Sequence, residues 1–242
     1  MSVTTRSLFF AAALGSVTAA HAADLKVVSN VSGTRGGGLV STQSVSAGKI
    51  RLSENDFDSI FDVSSGRVLI LDGKAKTYYE TSLAEIGARR EAVEAMRRTP
   101  ALARPAAPPS GPVTVRKGTV PKTIAGYECD QYTLALGDDV KFEVWAARNL
   151  EAPARYVEAE QLLLATRDPA WRRFDAIFEE MKKIKGFPIV ESRWDKLVGA
   201  PNRYRREATE IKAAPLPAST FEAPAGYKKK DSPYKHVPKA IS

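Results

Sequence analysis

Short runs in which apolar and polar residues alternate with a period of two dominate this chain, and they predict strands. Asp24 to Asn30 sets Leu25 and Val27 on one side. A glycine-rich break at Gly33 and Gly36-Gly37-Gly38 reads as a bend or bulge, followed by strands at about 39–45 and 48–54. Phe57 to Val63 and Arg67 to Asp72 come next, joined by Ser64-Ser65-Gly66. Asp72-Gly73 is a hairpin dipeptide leading into Lys76–Glu80. Connections this short forbid parallel crossovers, so the first segment is an antiparallel meander.

The period then changes. Ser82-Leu83-Ala84-Glu85 is a capping box, and Leu83, Ile86, Val93 and Met96 form a thin apolar stripe on the helix it opens. Residues 99–112 are rich in proline and alanine and read as an extended loop. Strand patterning resumes over Thr123–Leu136 and, after Gly137-Asp138-Asp139, over Val140–Trp145, with Phe142 and Val144 on one face. Arg155 to about Thr166 is helical in spacing. A second helix is predicted from a cap at Asp168 with Pro169 behind it, carrying Phe174, Ile177, Phe178, Met181 and Ile184 on its apolar face and stopping at Gly186. Strands return at Phe187–Trp194 and Arg203–Lys212, and the residues from Lys229 onward read as a basic flexible tail.

The N-terminus changes the picture from fold to address. Arg6, the apolar run Leu8–Leu14 and the small-x-small pattern Ala20-His21-Ala22 are the three parts of a cleavable export signal. The predicted layout is a signal peptide at 1–22, one domain at 23–228 and a tail at 229–242, with a periplasmic location. The chain carries a formal net charge of +8, which draws it to anionic partners unless the basic surface is merely solvated.

Composition also narrows the chemistry. Both histidines, His21 and His236, lie outside the predicted domain, which removes imidazole catalysis and histidine-ligated metals. A single cysteine, Cys129, forms no internal disulfide and reads as a small buried residue on a strand, a reactive thiol being the alternative. The acidic run Asn55, Asp56, Asp58, Asp62 lacks the spacing of a calcium loop. Carboxylate-pair hydrolysis stays open on composition, yet no spacing nominates a pair. Val68-Leu69-Ile70-Leu71 is apolar on both faces and so must be covered on both. Two arrangements satisfy that: helices packed on a plain core, or a curved sheet enclosing an apolar cavity.

Gly126-Tyr127-Glu128-Cys129-Asp130-Gln131-Tyr132, Glu143-Val144-Trp145, Gly186-Phe187-Pro188 and the closing run Leu216–Tyr227 together resemble a bacterial exported family of unknown function. That family is related to the lipoprotein-carrier-like (LolA/LolB-like) half-barrels, and the resemblance spans roughly residues 112–228. It implies an α+β fold: a strongly curved antiparallel sheet, a half-open β-barrel, with helices covering the concave face. In carriers of that architecture the cavity holds acyl chains, and no catalytic residues carry over.

The resulting expectation is a non-enzymatic protein that binds a lipid or the acyl chain of an acylated protein. Its lining is expected at Leu69, Leu71, Tyr78, Tyr132, Leu134, Phe142, Val144, Phe174 and Phe178. The alternative is an envelope scaffold or regulatory interaction module with a filled core. No metal or cofactor is expected, nor nucleic acid; an anionic envelope surface is a further partner, and the protein is expected to be a monomer.

Overall fold

The computed structural model describes residues 24–33, 36–97, 111–167, 174–196 and 201–235. The export signal, the loop core at 98–110, the Asp168–Pro169 cap and the end of the tail lie outside the described residues.

The strands are β1 (Leu25–Gly33), β2 (Gly36–Ser46), β3 (Lys49–Glu54), β4 (Phe57–Asp62), β5 (Arg67–Asp72) and β6 (Thr77–Ser82), followed by helix α1 (Leu83–Arg97). Then come β7 (Val113–Lys117), β8 (Lys122–Ile124), β9 (Tyr127–Leu136), β10 (Val140–Ala147), α2 (Tyr156–Arg167), α3 (Asp175–Met181), β11 (Phe187–Asp195), β12 (Asn202–Ala213) and β13 (Lys228–Lys230). They form one curved, unclosed sheet ordered β13-β6-β5-β4-β3-β2-β1-β12-β11-β10-β9-β7, with β8 also on β9. Every pairing is antiparallel except β13 on β6. The chain therefore builds two antiparallel halves and joins them where β1 meets β12.

The capping box forms as read: Ser82 Oγ accepts from the Glu85 N–H at 3.1 Å, and Glu85 Oε2 accepts from the Ser82 N–H at 3.1 Å. The triple glycine lies inside β2, where the β1–β2 register shifts between Val31 and Gly33. Thr123–Leu136 divides into β8 and β9 at Ala125-Gly126, both with positive φ.

Period-two alternation gives the sheet two distinct faces. On one, here the helical face, Leu25, Val27, Ile50, Leu52, Phe61 and Val68 pack with Ile86 of α1 and Tyr156, Ala159 and Leu163 of α2. Farther along the same face, Leu134, Leu136, Val140, Phe142 and Val144 pack under α3. On the opposite face the segment after β12 crosses β3–β6 as a strap. Its Leu216, Phe221, Ala223 and Tyr227 cover Ile60, Leu69, Leu71 and Tyr78. Leu216 N–H is anchored to Asp24 Oδ2 at 2.9 Å, and the Thr220 carbonyl accepts from Arg51 Nη1 at 3.1 Å.

Two sequence expectations are corrected. The residues read as the start of a flexible tail are ordered: Lys228–Lys230 is a strand and Pro233–Lys235 a 3-10 turn. The exposed edge of β6 supplies the reason, because its open ladder accepts a strand that has no apolar pattern of its own. The helix predicted to run to Gly186 ends at Met181. Gly186 instead has φ +94 and brings the chain against β10, where a Cβ would sit 2.0 Å from the Ala147 carbonyl oxygen.

Candidate functional site

The nine residues expected to line a cavity are brought into two groups, not one. Leu69, Leu71 and Tyr78 lie under the strap on the opposite face. Tyr132, Leu134, Phe142 and Val144 lie under α3 on the helical face, packed against Phe174 and Phe178 at its start and on its inner side. The second group is tightly stacked: the Phe142 ring meets Phe174 edge-on at 5.5 Å and Phe178 at 6.2 Å between centroids. Leu134 and Phe178 are 0% and 2% exposed. Cys129 is fully buried on β9, and its Sγ–H donates to the Tyr127 carbonyl at 3.3 Å. Burial pushes the thiol pKa up, the direction of an inert rather than a reactive cysteine.

On the helical face, beneath α2, lies a charged group that the strand and helix patterns did not single out. Arg206 on β12, 6% exposed, places Nη1 2.5 Å from Glu160 Oε1 of α2 and Nη2 2.6 Å from Glu191 Oε2 of β11. Arg206 Nη2 also donates to the Tyr156 hydroxyl at 3.0 Å. That hydroxyl is within reach of both Gln43 Oε1 and Glu160 Oε1. Burial works against the Arg206 charge, yet the two facing carboxylates outweigh it and hold the guanidinium well above its ordinary range. Burial pushes Glu191 up to about 8, assisted by Glu160 and opposed by Arg206. Among the described residues Glu160 Oε2 and Glu191 Oε1 have no hydrogen-bond donor. Ser41 Oγ and Gln43 Nε2 on neighbouring β2 are also buried without partners.

This group pins α2 to three strands from different parts of the chain. Its side chains are buried, and none of them lines either groove described below. A sequence signal existed: Glu160 falls four residues after Tyr156 and three before Leu163, on the apolar stripe of α2. Arg206 likewise occupies an inward position of β12 next to Ala208.

Among the described residues two surface grooves stand out. The first, about 800 Å³, lies on the opposite face over β10, β11, β12 and β1, and Lys141, Glu143, Ser192, Trp194, Arg203 and Arg205 contribute to it. The second, about 810 Å³, lies between β6, the start of α1 and the segment from Lys229, with Glu80, Glu85, Lys229 and Lys235 around it. None of the nine expected lining residues borders either groove. Among the described residues no group of three or more histidine, cysteine or acidic side chains could hold a metal, and no helix is long and apolar enough to cross a membrane.

An open, curved, mainly antiparallel sheet with helices on one face and a strap on the other thus defines the class of protein. The chain belongs to the family described as domain of unknown function DUF4412, which matches residues 59–227. That span includes β5–β6 and the strap as well as the motif-bearing second half. No curated protein matches the chain. Among solved structures it is similar to MucB in the Pseudomonas aeruginosa MucA/MucB complex, at 13% identity and a TM-score of 0.43, over 84% of this chain and 56% of that one. A second MucB structure gives 12% identity and 0.43, over 85% and 59%. The LolA superfamily protein NE2245 from Nitrosomonas europaea gives 9% identity and 0.28, over 83% and 90%. The chain spans a little under three-fifths of the length of the MucB chains it matches.

Proposed function

We propose that this chain is a non-enzymatic, exported binding protein of the cell envelope that recognises a protein partner on a packed sheet. One observation carries the reading: the positions expected to form an acyl-chain cavity are divided between two clusters, and the chain fills both itself, with α3 and with the strap. The export signal read in residues 1–22 supports a periplasmic location. The helical face is read as the concave one. Native mass spectrometry of protein expressed with its leader, together with titration of a fluorescent fatty acid, tests the filled core. The expected result is the bare polypeptide mass and no saturable uptake; a stoichiometric lipid adduct would overturn it.

A second reading keeps the acyl chain. Helix α3 has seven residues and no side-chain cap, yet it supplies Phe174, Ile177, Phe178 and Met181 as the cover of its cluster. An acyl chain taking its place would recover about 0.8 kcal/mol per buried methylene. In that case added lipid accelerates amide exchange in α3 while leaving β10 protected.

A further inference from the structure

We propose that the groove over β10–β12 and β1 docks an acidic polypeptide segment held in an extended, polyproline-like conformation. The inference rests on the protein-partner reading above and supplies its partner chemistry. Cross-strand register builds the floor in two rows. Lys141, Trp194 and Arg203 pair directly across β10, β11 and β12, and Glu143, Ser192, Arg205 and Ser32 form the next row. All seven share the face that carries no helix, because Phe142 and Val144, alternating with Lys141 and Glu143, point to α3.

Cations outnumber acids on this floor: with Arg205 paired to Glu207, Lys141 and Arg203 stand against Glu143, whose Oε1 is engaged by Trp145 Nε1 at 3.1 Å. Arg205 also reaches Ser192 Oγ at 2.9 Å and Glu207 at 2.8 Å. Trp194 lies between the outer two cations, with Lys196 Nζ 4.9 Å from its ring centroid. Lys141 and Arg203 are two strand spacings apart, about 10 Å. A polyproline-II segment repeats every three residues at about 9.3 Å, so acids three apart on one side match that separation. Between them the Trp194 indole gives the segment an apolar platform at low entropic cost. A flat lipid surface does not reach the floor of a groove, and a single phosphate calls for cations converging on one point rather than spread along strands.

The test uses the full mature chain and a fluorescein-labelled peptide of repeating Glu-Pro-Leu, with Gln-Pro-Leu peptide, inorganic phosphate and phosphatidylglycerol vesicles as comparisons. The glutamate peptide is expected to bind with an affinity that falls as salt rises. K141E/R203E is expected to weaken it at least about tenfold, and Lys141→Gln, a milder change, by less, with both melting temperatures unchanged. Equal binding of the glutamine peptide, or no loss in K141E/R203E, overturns the groove. So does vesicle or phosphate binding that K141E/R203E abolishes while the peptide does not bind, since the anion site then serves another ligand. Stoichiometric fatty-acid uptake would instead overturn the protein-partner reading, independently of the peptide result.

Discussion

The two halves of the sheet are built from similar strands and finished differently. Over β3–β6 both faces are covered, by α1 and α2 on one and by the strap on the other, and the central strand β5 is apolar on both sides. Val68 and Leu69, adjacent on β5 and pointing oppositely, are 0% and 1% exposed. Over β10–β12 the described residues cover a single face, and the strands alternate: Phe142 and Val144 are buried while Lys141 is exposed. A second covering layer removes a strand's polar face from use and turns it into stability. A face left bare keeps its charges and is free to recognise something.

Ending the chain at Ala214 would break that contrast most severely. It uncovers Ile60, Leu69 and Leu71, each worth about 1.5–3 kcal/mol when fully buried, against a total stability of about 5–15 kcal/mol for a domain. Urea unfolding should lose its cooperative transition and hydrophobic-dye binding should rise; an unchanged midpoint would show that the strap is ornamental.

At the junction of the halves, Arg206→Met should cost about 3–5 kcal/mol, because it strands the buried acids Glu160 and Glu191. The double change with Glu160→Gln should recover part of the loss. Denaturant titration of the single and double variants measures the coupling, and simple additivity would show that the group does not act as a unit.

The same group predicts a pH dependence. Burial pushes Glu191 in the folded chain up to about 8, above the ordinary 4.5 of an unfolded glutamate. Between those values the native state holds a proton that the unfolded chain has released, so stability is greatest below the window and falls as pH rises through it. For one group the slope is at most about 1.4 kcal/mol per pH unit. Melting curves across the window should slope downward in the native protein and flatten in Glu191→Gln. The smallest effect belongs to the bare face: Lys141→Gln should shift stability by no more than about 0.5 kcal/mol, and a large loss there would mean that this face is covered after all.

Much of this architecture was legible because it is local. Alternation placed β3, β4, β5 and β10 within a residue or two, and Ser82 and Glu85 marked the start of α1 from four consecutive letters. The double-sided apolarity of Val68–Leu71 correctly called for two covers without naming them. The strap was written as a closing family motif, yet nothing in Leu216–Tyr227 says which strands it crosses. β13 was invisible, since three lysines form a strand through the β6 edge and not through their own pattern. The candidate site was the least legible part. Glu160, Glu191 and Arg206 come from three elements, and the inward placement of Glu160 and Arg206 in their own patterns does not say which partners they meet.

By itself, then, the sequence determined the strands, the helix start and which faces are apolar, because periodicity and capping act over a few residues. Only the tertiary structure decided what lies on each face. Antiparallel register brings Lys141, Trp194 and Arg203 into one row from 141 to 203 in the chain, and the packing of α2 on β11 and β12 buries Arg206 between two acids. Those juxtapositions depend on contacts between distant residues, which no local pattern encodes.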